Sequence, residues 1–155
     1  MFDLTGKNAL VTGASGGIGA DIARHLHTRG AVVGLSGTRT DPLEALQAEL
    51  GGNALVLPCN LSDGDAVDAL PKHAAEAMGS VDILVNNAGI TRDNLFMRMS
   101  EDEWRSVLDV NLTGAARVLG HVLQQMVGRD AGHLVLTGSL SGFRGLPNAC
   151  GCGAR

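Results

Sequence analysis

The stretch Thr12-Gly13-Ala14-Ser15-Gly16-Gly17-Ile18-Gly19 constrains this chain more than any other. Apolar Ala9-Leu10-Val11 precedes it, and Ile18, Ile22, Ala23 and Leu26 follow at three- and four-residue steps. Strand, glycine-rich turn and helix are the context in which such a motif carries meaning. Glycine permits positive φ and removes the Cβ, so the backbone turns sharply and comes close to a ligand. The turn also aims the first amides of the helix at one point. Unpaired N–H groups and the positive end of the helix dipole together favour an anion such as a pyrophosphate. The competing reading is a glycine-rich β–α turn that binds nothing.

Strands and helices alternate from there on. The pattern predicts a first strand over about 7–12 and a helix from Gly17 to Arg29, ended by Gly30 at its C′ position. A second strand is expected over Ala31–Ser36, then a helix opened by Pro42 with Leu43, Leu46 and Leu50 on one face. A third strand spans Asn53–Leu57. Ser62 or Asp63 caps the next helix, which Pro71 should kink or split. Val81–Val85 forms the fourth strand and runs into Asn86-Asn87-Ala88-Gly89. Ser100-Glu101-Asp102-Glu103 is a capping box that opens one long helix, with Trp104, Val107, Leu108, Leu112, Ala115, Leu119, Val122 and Met126 as its apolar face. Gly132–Thr137 forms a fifth strand, followed by Gly138-Ser139-Leu140-Ser141. Successive βαβ units with right-handed crossovers give an α/β fold, a doubly wound parallel sheet. The order 3-2-1-4-5 would put the glycine-rich turn at the switch point, where ligands bind.

Composition bounds the rest. A chain of 155 residues with 45% apolar and 18% charged content reads as one globular domain. A net charge of −4 argues against bulk attraction to nucleic acid or an anionic membrane. No apolar run approaches the ~20 residues of a spanning helix. The N-terminus lacks a signal-peptide shape, and three cysteines, an odd number, suit a reducing compartment; a cytoplasmic protein is expected. Cys150 and Cys152 have only Cys59 as a further thiol and no suitably spaced histidine, so no metal site is expected.

These motifs together resemble the short-chain dehydrogenase/reductase family. The resemblance rests on Gly13, Gly17 and Gly19 in T-G-x-x-x-G-x-G spacing, on Asn86-Asn87-Ala88-Gly89, on Asn111 in the long helix and on Ser139 past the fifth strand. Val81 to Met99 is similar to bacterial 3-oxoacyl-[acyl-carrier-protein] reductases, with acetoacetyl-CoA reductases as an open alternative. The resemblance implies NADPH-dependent reduction of a 3-oxoacyl thioester, carried on acyl carrier protein or CoA, in fatty-acid synthesis, by a homo-oligomer.

It also implies roles. Gly13, Ala14, Ser15, Gly16, Gly17, Ile18 and Gly19 would cradle the pyrophosphate. Thr38 and Arg39 stand where NAD-specific members carry an acid, and they suit the 2′-phosphate of NADP. Asn60 and Leu61 would flank the adenine, and Asn87, Ala88 and Gly89 the adenosine ribose. Ser139 would bond the substrate carbonyl, and Asn111 would support the proton path.

The sequence departs from the family at its central acid, a tyrosine in a Y-x-x-x-K motif. The chain has no tyrosine; thirteen positions past Ser139 stands Cys152, and the lysine would fall one position past Arg155. Residues 1–147 read as the dinucleotide-binding domain, and residues 148–155, Asn-Ala-Cys-Gly-Cys-Gly-Ala-Arg, as an aberrant tail. A frameshifted or interrupted longer gene is the expected origin. Catalysis is expected to be impaired, since general acid catalysis is worth ~10²–10⁴ in rate. A non-catalytic NADP-binding fragment and a subunit completed by a partner are the competing readings. The fifth strand should be an exposed edge. Gly128–His133 is nearly neutral, where relatives are basic toward an acidic carrier.

Overall fold

The computed structural model describes residues 2–92, 94–142 and 144. Strands β1 (Asn8–Thr12), β2 (Val32–Gly37), β3 (Ala54–Pro58), β4 (Ile83–Asn86) and β5 (His133–Leu136) form one sheet in the order β3-β2-β1-β4-β5. Every pairing is parallel. This is the α/β architecture and strand order expected from the sequence, with strand bounds shifted by one or two residues. The order reverses at β1. Val11 lies opposite Leu35 on one side and Val85 on the other, so the chain leaves β1 between the ends of β2 and β4.

Alternate side chains of the strands supply two cores, as the period of two requires. Ala9, Val11, Val33, Leu35, Ile83 and Val85 face α1 (Gly17–Thr28) and α2 (Thr40–Leu50), against Ala23, Leu43 and Leu46. Leu10 and Leu84 face the other way, toward α3 (Gly64–Met78) and α5 (Ala115–Gly128), against Val67, Leu70, Val118, Val122 and Met126. Cover on both faces explains why β1 and β4 read as continuous apolar runs rather than alternating ones.

The helix ends follow their sequence signals. Gly30 takes φ +93° after α1, and its N–H donates to the His27 carbonyl at 2.9 Å. Asp63 caps α3, accepting from the amides of Asp65 (3.1 Å) and Ala66 (3.3 Å). Ser100 and Glu103 form the reciprocal capping box of α4 (Glu101–Leu108) at 3.1 and 2.8 Å.

Two expectations need correction. Of the kink or split expected at Pro71, the split does not occur: α3 runs unbroken from Gly64 to Met78. Proline removes one ladder bond, but Val67, Leu70, Pro71 and Ala74 are all buried, and this face holds the helix across the gap. The long helix after Ser100 is not uniformly α. A π turn, Asp109–Gly114, joins α4 to α5. The wider turn rotates the following residues relative to an α-helical wheel. The buried line becomes Val107, Gly114, Val118, Val122 and Met126, while Leu112 is 57% exposed.

All of β5 is exposed, and among the described residues it pairs with β4 alone. This matches the expected edge, with Leu136 at 64% exposure. Among the described residues, no helix is long and apolar enough to cross a membrane. The expected boundary at residue 147 and the 148–155 tail, with Cys150 and Cys152, lie outside the described residues.

Candidate functional site

A cleft of about 490 Å³ opens over the C-terminal ends of the strands. Gly13, Ser15, Gly16, Ile18 and Gly19 line it from the turn after β1. Thr38 and Arg39 line it from the turn after β2, Asn60 and Leu61 from beyond β3, and Asn87, Ala88 and Gly89 from beyond β4. Of the residues expected to hold a cofactor, only Ala14 and Gly17 stand outside the wall. Ala14 is 1% exposed and its amide donates to the Ser36 carbonyl at 2.9 Å, so it ties the turn to β2. Gly17 is exposed and begins α1.

The cleft also takes in Thr12, Ser36, Gly37, Cys59, Ile90, Val110, Thr137 and Gly138, which the sequence reading did not select. Most of these sit at or just past a strand's C-terminal end, the place where open α/β sheets bind ligands, and that rule would have found them. No sequence signal marks Ile90 or Val110.

The glycines divide by cause. Gly13 has φ +71°, and a Cβ there would lie 2.8 Å from the Ala88 Cα. A Cβ on Gly19 would collide with the Gly13 carbonyl. Packing alone therefore requires these two. Apart from the chain neighbours and the helix's own backbone, nothing lies within 4 Å of a Cβ position at Gly17, and at Gly16 the Arg39 guanidinium comes no nearer than 3.9 Å. The first turn of α1 has no acidic residue and no side-chain cap. Its amides and positive dipole end fit an anion in the cleft.

Thr12 locks this turn to the strand beyond it. The hydroxyl, 1% exposed with its residue, accepts from the amides of Asn87 and Ala88, each at 3.1 Å. The Asn87 side-chain amide returns a bond to the Thr12 carbonyl at 3.2 Å. Asn86 donates to the Ala115 carbonyl at 2.9 Å, which fastens the end of β4 to α5. The Asn60 carboxamide accepts from the Ser62 amide and hydroxyl, shaping the entry to α3.

Electrostatically the cleft wall is simple. Among the described residues lining it, Arg39 is the only charged one, and none carries a carboxylate. Its guanidinium reaches back over the glycine-rich turn and donates to the Ser15 carbonyl at 2.6 Å. Cys59 is nearly buried; desolvation, helped by the nearby Asp63 carboxylate, pushes its thiol up to about 11. It stays protonated and unreactive at neutral pH.

Asn111 and Ser139 stand apart from the cleft wall. Asn111 lies in the π turn, and its carboxamide clasps the backbone of Ile90: Oδ1 accepts from the amide at 2.8 Å and Nδ2 donates to the carbonyl at 2.9 Å. It therefore positions a cleft residue while itself lining a smaller groove of about 220 Å³ with Leu112, Leu119 and Leu136. Ser139 follows Gly138 at the cleft rim and is half-buried; its carbonyl accepts from the Gly142 amide at 3.1 Å. Cys152 lies outside the described residues.

A doubly wound parallel sheet with a glycine-rich turn, an uncapped helix start and a cation over the switch point has the layout of an open α/β domain that takes ligands at that crevice. The model of the short chain dehydrogenase family matches residues 7–154, and the chain belongs to that family. Nodulation protein G of Rhizobium sp. (strain N33) is 52% identical over 147 residues, covering 95% of this chain and 60% of that protein. The 3-oxoacyl-[acyl-carrier-protein] reductase FabG of Vibrio harveyi is 45% identical over 144 residues, covering 93% and 59%. A solved short-chain alcohol dehydrogenase structure from Sinorhizobium meliloti 1021 superposes with a TM-score of 0.93 at 35% identity, covering 99% of this chain and 62% of that one. The chain thus spans about 60% of the length of the curated relatives it matches.

Proposed function

We propose that this chain is the NADPH-binding part of a cytoplasmic ketoreductase for 3-oxoacyl thioesters in fatty-acid biosynthesis. Proteins of the short-chain family bind NAD(P). The residues present fit that group: Gly13–Gly19 and the α1 amides would hold the pyrophosphate, and Thr38 with Arg39 the 2′-phosphate. Asn60 and Leu61 would flank the adenine. Asn87, Ala88 and Gly89 would border the adenosine ribose. The bound nicotinamide would supply a hydride to a carbonyl carbon. Ser139 would orient the carbonyl oxygen, and Asn111 would act by holding Ile90 in place. The name carried by the Vibrio harveyi relative supports an acyl-carrier-protein substrate.

One observation carries the cofactor choice: among the described residues the sole charge lining the cleft is the Arg39 guanidinium, and none of them brings a carboxylate to meet a ribose 2′-hydroxyl. The chain has no tyrosine to serve as the family's proton donor. Binding without turnover is therefore the reading for this chain by itself. A CoA-linked substrate draws support from Arg129, the one basic side chain in Gly128–Ala131. It is already engaged with the Val81 carbonyl (2.8 Å) and the Asp82 carboxylate (3.4 Å) rather than offered to an acidic carrier.

NADPH fluorescence titration of the purified chain tests this, with acetoacetyl thioester reduction followed in the same cuvette. Saturable binding, tighter for NADPH than for NADH and with little turnover, is expected. Equal affinity for the two would remove the role of Arg39. Robust turnover would refute the binding-only reading.

A further inference from the structure

Gly37 ends β2 within the cleft wall, with an ordinary strand backbone rather than a positive φ. Neither dihedral strain nor helix packing explains a glycine there. Ser15 does. A Cβ on Gly37 would lie 2.8 Å from the Ser15 hydroxyl oxygen, 3.2 Å from its Cβ and 3.5 Å from its amide nitrogen. Rotating the hydroxyl away would leave the 3.2 Å contact with the Ser15 Cβ, so Ser15 itself would have to give by a few tenths of an ångström.

The same Ser15 offers its carbonyl to the Arg39 guanidinium at 2.6 Å, two residues beyond Gly37. Ser15 is therefore held twice by one short segment: by close approach at Gly37 and by a hydrogen bond at Arg39. Moving it from the first displaces the acceptor of the second. We propose that Gly37 is a positioning residue: its missing Cβ lets the turn seat against β2, and this seat fixes Arg39 where it discriminates a 2′-phosphorylated nucleotide from its 2′-hydroxyl counterpart. The inference rests on the NADPH reading above and adds the residue pair that sets its selectivity.

The ratio of affinities for 2′-phospho-ADP-ribose and ADP-ribose, measured by calorimetry, reads this out without any turnover. The ligands differ only in the group that Arg39 would meet, so a general loosening of the cleft lowers both and leaves the ratio unchanged. Gly37→Ala should lower the ratio about tenfold, the scale of one weakened charge-assisted hydrogen bond. Adding Ser15→Gly, which removes both crowded side-chain atoms, should return the ratio to that of the Ser15→Gly chain alone. In an Arg39→Ala background Gly37→Ala should leave the ratio unmoved. Ser15→Thr enlarges the other partner of the contact and should lower the ratio even if Gly37→Ala does not fold. Equal losses for both ligands, or a fall that Ser15→Gly does not repair, would overturn the proposal. A wild-type chain that binds neither ligand would instead overturn the NADPH reading on which it stands.

Discussion

Replacing Thr12 by valine tests the joint on which the cleft is built. Valine keeps the shape of threonine and removes the hydroxyl, which accepts from the Asn87 and Ala88 amides at 3.1 Å each and lies 3.3 Å from the Asn86 carboxamide oxygen. Each net hydrogen bond is worth about 0.5–1.5 kcal/mol, so the loss should be about 2 kcal/mol. For a domain of this size that lowers Tm by about 4–8 °C. Thr12→Ser keeps the oxygen and forfeits one buried methyl, worth about 0.8 kcal/mol, so it should fall by about half as much or less. Thermal unfolding followed by far-ultraviolet circular dichroism orders the three chains. The ordering wild type, serine, valine supports the joint. A valine variant as stable as the wild type would show that Thr12 does not fasten the segment after β4, and the account of the cleft would lose its anchor.

Three further outcomes are expected. Gly13→Ala should destabilise by about 3 kcal/mol in urea unfolding, because it adds left-handed strain to a backbone clash at Ala88, whereas Gly17→Ala should stay within about 0.5 kcal/mol of wild type. Hydrogen bonds from Arg117, and then from His121, hold the Asp68 carboxyl below its ordinary 3.8. A depressed carboxylate contributes stability above its unfolded value and loses it as pH falls through the folded one. Asp68→Asn should therefore narrow the stability difference between neutral pH and about pH 3. Cys59, with its thiol at about 11 and its side chain nearly buried, should resist maleimide in the native protein and react once unfolded, as peptide mass spectrometry would show.

The sheet and its order were legible because each strand is a short apolar run between clear stops, and parallel strands buried on both faces leave that mark. Gly30, Asp63 and the Ser100–Glu103 box marked their helix ends because capping is local chemistry within a few residues. The helix face around Leu112 was misjudged for the opposite reason. A π turn depends on what the helix packs against, here the Asn111 clasp on Ile90, and no periodicity in the sequence announces it. Pro71 looked like a break because propensity weighs one lost bond, whereas the fold weighs a whole buried face. The cleft residues were mostly found through the glycine spacing and the segment after β4. Gly13 and Gly19 turned out to be required by packing, which spacing alone does not separate from binding.

The central position of β1 bears on how the chain is made. Of the five strands β1 is made first; β2 pairs with one of its edges and β3 then adds to β2, but the other edge of β1 waits for β4. Synthesis of the stretch from Pro58 to Asn86 takes roughly 1–6 s at ordinary rates of elongation. For that interval the nascent chain carries an apolar strand with one bare edge, Ala9 to Val11. An unpaired apolar edge is open to wrong pairing while it lasts, and a pause in translation before Ile83 would lengthen its exposure.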